Sequence, residues 1–266
     1  MGNVLTVAWL TIREIRRRKF LTVALALGAA FVALYGVGLY FVHLDFARNY
    51  RGRSLIMDDG FVVIVMAGLY GVSFLGIMAG VLTAVPVMAG EIASRTIDVL
   101  AVKPFRRHTL VLGKWLGLAG VTSFYVALLA GGIIGVMWAI TGVVPPHPVQ
   151  GVAFIALEAL VLMSITLLGG TRLSVIATGA LALGLYGLAF IGGWMEQIGA
   201  VTGNATVVDI GIVSSLIVPS EAMWKMAAYM MQPPLVRDLG ISPFGVAAPP
   251  STAMLVYTLA YIAACL

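Results

Sequence analysis

Charge is what this sequence has least of. Charged residues make up 10% of its 266 positions, whereas a typical soluble domain has about 25%. Hydrophobic residues account for 61%, and the mean hydropathy is +1.05. This composition excludes a soluble globular domain and predicts an integral membrane protein.

Cysteine and metal-binding motifs are also scarce. The single Cys265 lies in an apolar run, so no disulfide framework and no dithiol redox pair can form. His43, His108 and His147 lie in predicted loops, and the chain has no H-E-x-x-H motif. No pair of aspartates falls within an apolar run. These absences argue against an intramembrane protease or lipid hydrolase, and we predict no catalytic residue.

A phosphate-binding loop of the type G-x-x-x-x-G-K-[ST] is missing as well. Gly113-Lys114 is followed by Trp115 rather than by Ser or Thr. If transport by this protein uses ATP, the ATPase must therefore be a separate chain. The absence fits a permease, a channel and a scaffold equally well.

The charge that is present is basic, with a net charge of +5 and a pI near 9.5. Lys and Arg are clustered, so they indicate membrane topology rather than nucleic-acid binding. Residues 16–19 are four successive cations before the first apolar run, which places that end in the cytoplasm. The run itself is too long for a signal peptide, so we expect it to be retained.

The apolar runs predict a single membrane domain over residues 1–266, with about six spans and both termini in the cytoplasm. A helical span needs about 20 apolar residues. The predicted spans are residues 20–42, 61–88, 114–141, 149–168, 173–193 and 251–266. The last run is slightly short and no basic residue follows it, so we expect the natural chain to continue beyond Leu266.

Two flanking segments are predicted to lie at the membrane surfaces. Residues 1–19 form an amphipathic helix that lies in the cytoplasmic interface. Its shared apolar face consists of Leu5, Ala8, Trp9, Ile12 and Ile15. Residues 194–250 are predicted to stay outside and to contain two short helices that dip into the outer leaflet, with Ser220 as the N-cap of the second.

Small residues recur at a spacing of four within the spans. The pairs are Gly113-x-x-x-Gly117, Gly131-x-x-x-Gly135 and Ala180-x-x-x-Gly184. Such spacing allows two helices to approach closely, and dimerisation is one of its uses.

A charged segment, residues 90–104, interrupts the apolar pattern between the second and third spans. As a helix ending before Pro104, it would have two different faces. Glu91, Arg95 and Asp98 share the charged face; Ile92, Thr96, Val99 and Leu100 share the apolar one. The charged face is suited to a partner and the apolar face to the membrane domain. The alternative is an ordinary cytoplasmic loop whose charges only follow the topology rule.

Glu158 is an ionisable residue in the middle of the fourth predicted span. Such groups face protein or water rather than lipid. It is either a polar point on a transport path or a structural group hydrogen-bonded by Ser123, Ser164 or Thr178.

Methionines share one face of the second outer helix: Met223, Met226 and Met230. Thioethers can bind Cu(I), but methionine is also a common apolar filler, so these are weak metal candidates.

The segment GEIASRTIDVLAVKPFRRHTLVLGKWLG, residues 90–117, resembles the permease subunits of ABC-2 type transporters, and within them the NosY-like group of bacterial permeases. The likeness lies in the Gly-Glu start, the Lys-Pro step and the Gly-Lys before the third span. Residues 1–19 are similar to the family's elbow helix, and the stretch at residues 218–234 to its extracellular re-entrant helices.

The resemblance implies a six-span, all-α permease of the type V exporter kind. Residues 90–104 would be its cytoplasmic coupling helix, with Glu91, Arg95, Asp98, Ile92 and Leu100 at the ATPase contact. Separate ATPase subunits would bind ATP and Mg, and a second permease subunit would complete the path for export across a bacterial plasma membrane. The rival interpretation is a channel or an assembly scaffold that uses no ATP.

Overall fold

The computed structural model describes residues 2–17, 19–49, 55–93, 107–234 and 250–266, and the regular structure in these ranges is entirely helical. The elements are α1 (Gly2–Arg17), α2 (Lys19–Asn49), α3 (Leu55–Val85), a π-helical turn (Pro86–Gly90), α4 (Glu91–Ala93), α5 (Arg107–Thr141), α6 (Pro148–Gly170), α7 (Val175–Thr202), α8 (Ala205–Ile217), α9 (Ser220–Met231) and α10 (Thr252–Ala264). The predicted all-α class is confirmed.

Five helical stretches in the described part of the chain are long and apolar enough to cross a membrane, and each overlaps one of the first five predicted spans. They are Lys19–Arg48, Gly60–Gly90, His108–Thr141, Pro148–Gly170 and Val175–Thr202. Helices α8 and α9 meet at 108°, as in a broken span or a re-entrant loop. Helix α10 has 13 residues and reaches only about 20 Å, less than the ~30 Å hydrocarbon core. These helices are compatible with a multi-pass membrane protein, while the sixth predicted span is a shorter helix.

The core of the bundle forms where α3, α5 and α6 pack together. Helix α6 is its centre, because it also contacts α7, α9 and α10. Its side chains Ile155, Ala159 and Leu162 have no exposed surface. A helix that is apolar around its whole circumference is suited to this central position.

Helix α1 packs along the first turns of α5, as an amphipathic helix can. Its buried residues are Ala8, Thr11 and Ile15, whereas Leu5 and Trp9 are exposed. The predicted apolar face is therefore divided. One edge contacts α5, and the other is free for a membrane surface.

The pair Gly113 and Gly117 makes this contact between α1 and α5 possible. A Cβ atom on Gly113 would lie 2.6 Å from the Cβ of Val7, and one on Gly117 would lie 2.7 Å from the carbonyl oxygen of Ala8. The predicted close approach of helices is confirmed at this pair, and its partner is the amphipathic helix. At Gly131, Gly135 and Gly184 an added Cβ would meet no atom within 4 Å.

The described helices after Gly193 differ from the prediction for residues 194–250. Helix α7 does not end near Gly193 but continues to Thr202, where Gly203 adopts a left-handed conformation with φ of 68°. The Asn204 side chain then caps α8 by accepting from the backbone N–H of Val207 at 3.3 Å. The chain thus turns sharply back on itself, and α8 packs tightly against α7.

Helix α9 begins one residue earlier than predicted. Pro219 occupies the N-cap position and makes no side-chain cap bond, and Ser220 is already the first helical residue. The predicted N-cap role of Ser220 is wrong, because Pro219 occupies the N-cap position and Ser220 follows it inside the helix.

Candidate functional site

The end of α3 is tied to two other helices by a group of residues that we call the Lys114 junction: the π-helical turn Pro86–Gly90 with Glu91, Lys114 and Gly170. Proline has no backbone N–H and obstructs the preceding turn, so the α-helix does not continue regularly through Pro86. The turn is held inside the protein, since Val87, Met88 and Ala89 are buried.

Lys114 of α5 supplies the electrostatic part of the junction. Its ammonium group donates to the carbonyl oxygen of Val87 at 3.2 Å and pairs with the Oε2 atom of Glu91. The side chains of Lys114 and Glu91 are only 6% and 15% exposed. The carbonyl of Val87 and the carboxylate of Glu91 thus share one buried cation, which fixes the end of α3 to α5.

Helix α6 reaches the same turn through Gly170, the last residue of the helix. A Cβ atom at Gly170 would lie 3.2 Å from the backbone nitrogen of Ala89. Close approach at this point needs a residue without a side chain. The end of α3, just before residues 94–106, is therefore fixed to both α5 and α6.

Two of the five residues predicted at the ATPase contact, Glu91 and Ile92, are among the described residues. Glu91 is directed to Lys114, a contact that the helical pattern of residues 90–104 did not predict, and Ile92 is exposed. Arg95, Asp98 and Leu100 lie outside the described residues. The assignment of these five residues to a partner surface stays a prediction.

Glu158 lies in the interior of the bundle, where its side chain is 1% exposed. The hydroxyl of Ser73 on α3 donates to its Oε2 atom at 2.7 Å. The predicted partners Ser164 and Thr178 hydrogen-bond elsewhere: Ser164 to Trp115 and Leu160, and Thr178 to Leu173. The sequence pattern does not predict Ser73 as the partner of Glu158, because this pairing depends on how α3 is rotated about its own axis.

A second charged group, which we call the outer cluster, joins α7 and α9. Lys225 donates to Glu196 at 2.6 Å, and Glu221 is buried against Gly193 of α7. All three charged residues lie in the segment predicted to stay outside, residues 194–250, and the sequence pattern did not predict that they come together. The spacing of Glu221 and Lys225 by four residues, which puts both on one helical face, was the available signal.

Aromatic side chains pack beside α7 and α9 at the same end of the bundle. The ring of Tyr70 on α3 lies 4.7 Å from Trp224 and 6.3 Å from Phe190, and Tyr186 lies 6.1 Å from Phe190. Such contacts add to the apolar burial. They connect the α7–α9 corner to α3 and close off this part of the bundle.

The methionine stripe of α9 faces inward. Met223 and Met226 are buried, and Met230 is half-buried. Within the described ranges, His, Cys, Asp and Glu form no group of three or more that could hold a metal ion. Copper binding by these thioethers stays a prediction.

Comparison with protein-family models found no match, and comparison with curated proteins found none either. The case for a function rests on the sequence and on the geometry of the Lys114 junction, the Glu158 pair and the outer cluster.

The Ser73–Glu158 pair provides a test of what the buried carboxyl does. Replacing Ser73 with alanine should cost roughly 1–3 kcal/mol of stability, because it leaves a buried acceptor without its donor. Glu158→Gln should cost less than about 1 kcal/mol, since the amide oxygen can still accept from Ser73. Thermal unfolding of the purified variants in detergent measures both.

The isosteric variant also separates a functional role from a structural one. If the acid group of Glu158 acts in transport, Glu158→Gln abolishes transport in vesicles while the protein stays folded. If the group only holds α3 to α6, the variant transports normally. A Glu158→Gln protein that unfolds as readily as Glu158→Ala would contradict the hydrogen-bond assignment.

Proposed function

We propose that this chain is the membrane-spanning permease subunit of an ABC-2 type exporter, driven by separate cytoplasmic ATPase subunits. A second permease subunit, identical or different, completes the transport path. The chain resides in a bacterial plasma membrane with both termini in the cytoplasm, and ATP and Mg bind to the partner ATPase. The observation that carries this proposal is the Lys114 junction.

The junction supports the proposal through its position. Residues 94–106, which include most of the charged segment, connect α4 to α5 in the chain. On the entering side, the chain is held by Lys114 to α5 and by Gly170 to α6. A displacement of this segment is therefore transmitted to three helices of the core at once.

This arrangement suggests a mechanical mechanism. ATP binding brings the ATPase subunits together, and the segment that contacts them moves with them. Helices α3, α5 and α6 then shift between two packed arrangements, as a bistable element biased by a ligand requires. The Glu91–Lys114 pair helps to transmit the movement to the helices and takes no part in ATP hydrolysis, since hydrolysis takes place on the partner ATPase.

The partner surface is tested by a change of charge at Arg95. Arg95→Glu should prevent co-purification of the ATPase or uncouple ATP hydrolysis from transport. The variant reverses the charge of the permease at the proposed contact, so that this charge no longer complements the ATPase surface. The measurement is affinity purification from the native membrane, followed by ATPase and transport assays in vesicles.

Arg172→Glu is the matched control, because Arg172 is an exposed cation in the loop between α6 and α7, predicted to lie on the same side of the membrane. It should leave assembly and coupling unchanged. Normal assembly and coupled transport by Arg95→Glu would refute the contact. If the unmodified protein brings down no ATPase with a phosphate-binding loop, the ABC assignment fails, and a channel or scaffold function takes its place.

A further inference from the structure

An apolar groove runs between α1, α2 and α5, on the side of the bundle where α1 lies. Leu21 and Leu25 of α2 line one wall, and Gly120, Val121 and Phe124 of α5 line the other. The groove has a volume of about 380 Å³, within the usual range for small-molecule sites. Its walls are almost entirely apolar, as expected for a place that holds hydrocarbon.

One end of this groove is cationic. Arg16, in the last turn of α1, lines it and is exposed, and the exposed Lys19 begins α2 directly afterwards. The opposite end is made by Leu25, Phe124 and Tyr125, which lie further along their helices from the basic end. The Tyr125 hydroxyl is already used, since it donates to the carbonyl oxygen of Ala24 at 2.9 Å.

The groove therefore has a positively charged entrance and an uncharged interior. An anionic phospholipid matches this arrangement, because its phosphate would lie at the entrance and an acyl chain would lie in the interior. The exposed apolar surface of Leu25 and Phe124 would be covered by a chain. Arg16 can donate to phosphate oxygens in the bidentate geometry that guanidinium favours.

A second groove on the same bundle provides a contrast. It lies between α5 and α6, is lined by Gly131, Gly135, Trp138, Val149 and other uncharged residues, and is larger, at about 550 Å³. Any acyl chain can fill such a surface, because nothing in its lining distinguishes one headgroup from another. The first groove differs from the second in having a cation, Arg16, in its lining.

We propose that the groove between α1, α2 and α5 binds one anionic phospholipid of the surrounding leaflet. Its phosphate is bound by Arg16, and one acyl chain lies against Leu25 and Phe124. The bound lipid then links α1 to α2 and α5, beside the contact made by Gly113 and Gly117. This site does not depend on the transport function proposed above.

The test compares lipids and uses two variants that change the groove without unfolding the protein. Arg16→Gln removes the charge from an exposed position. Gly120→Leu fills the groove, and a Cβ at Gly120 meets no atom within 4 Å. The controls are Arg13→Gln, a cation of α1 whose guanidinium lies 3.5 Å from the centre of the Trp9 ring, and Gly131→Leu, in the second groove.

Detergent-purified protein is titrated with phosphatidylglycerol or phosphatidylcholine, and bound lipid is counted by native mass spectrometry. We expect one tightly bound phosphatidylglycerol per chain. Arg16→Gln should weaken its affinity about tenfold or more, as the loss of a charge-assisted hydrogen bond implies. Gly120→Leu should abolish this binding, and both controls should retain it. Equal binding of the two lipids, no bound lipid in the unmodified protein, or unchanged affinity in Arg16→Gln would overturn the proposal.

Discussion

Replacing Lys114 with methionine is expected to destabilise the protein by roughly 3–5 kcal/mol, the usual cost of removing one partner of a buried ion pair. The variant removes the Lys114 cation from beside the Glu91 carboxylate and removes a donor from the Val87 carbonyl. Both acceptors are largely shielded from water, so solvent compensates for little of the loss. Thermal unfolding in detergent, followed by circular dichroism, measures the effect.

A double variant separates the pair from the individual residues. Glu91→Gln with Lys114→Met removes both charges, so it should be more stable than Lys114→Met alone. Lys19→Met is the control for loss of a cation, because Lys19 is exposed and should shift stability by less than about 0.5 kcal/mol. If the single and double variants unfold at the same temperature, the carboxylate of Glu91 is not balanced by Lys114.

Replacing Lys225 with methionine should have a comparable effect, about 3–5 kcal/mol, on the outer cluster. Lys225 is the cation beside two carboxylates: it donates to Glu196, and Glu221 is buried one helical turn away on the same helix. Without it, the carboxylates of α7 and α9 are both left in a largely dry environment. The corner made by α7, α8 and α9 should open first.

Hydrogen exchange reports this local opening, with faster exchange expected in Ala205–Ile217 and Ser220–Met231 than in α6. Adding Glu196→Gln to Lys225→Met should restore part of the protection, because one of the two unbalanced charges is gone. Unchanged exchange in both helices of the single variant would show that packing, and not the ion pair, holds the corner.

Sequence patterns predicted the parts of the fold that depend on composition and periodicity. The first five spans follow from runs of apolar residues, and the amphipathic α1 follows from a spacing of three and four. The close approach at Gly113 and Gly117 was also predictable, because small residues at that spacing have a known use. Which helix approaches them was not.

The side-chain contacts of the candidate sites could not be predicted from these patterns. Glu91 and Lys114 are 23 residues apart, and Ser73 and Glu158 are 85 apart. Pairing at such distances depends on how each helix is rotated and where it is bent, which periodicity within one helix does not specify. The outer cluster was missed for a related reason: helix α7 was expected to end before Glu196 and was not treated as a surface for α9.

The π-helical turn at Pro86–Gly90 decides where the side chain of Glu91 lies. In an α-helix each residue advances by about 100°, so the wider turn changes the angular position of Glu91 relative to α3. With this turn in place, the Glu91 carboxylate meets Lys114 of α5. One irregular turn of five residues, rather than the length of the span before it, therefore sets which helix Glu91 pairs with.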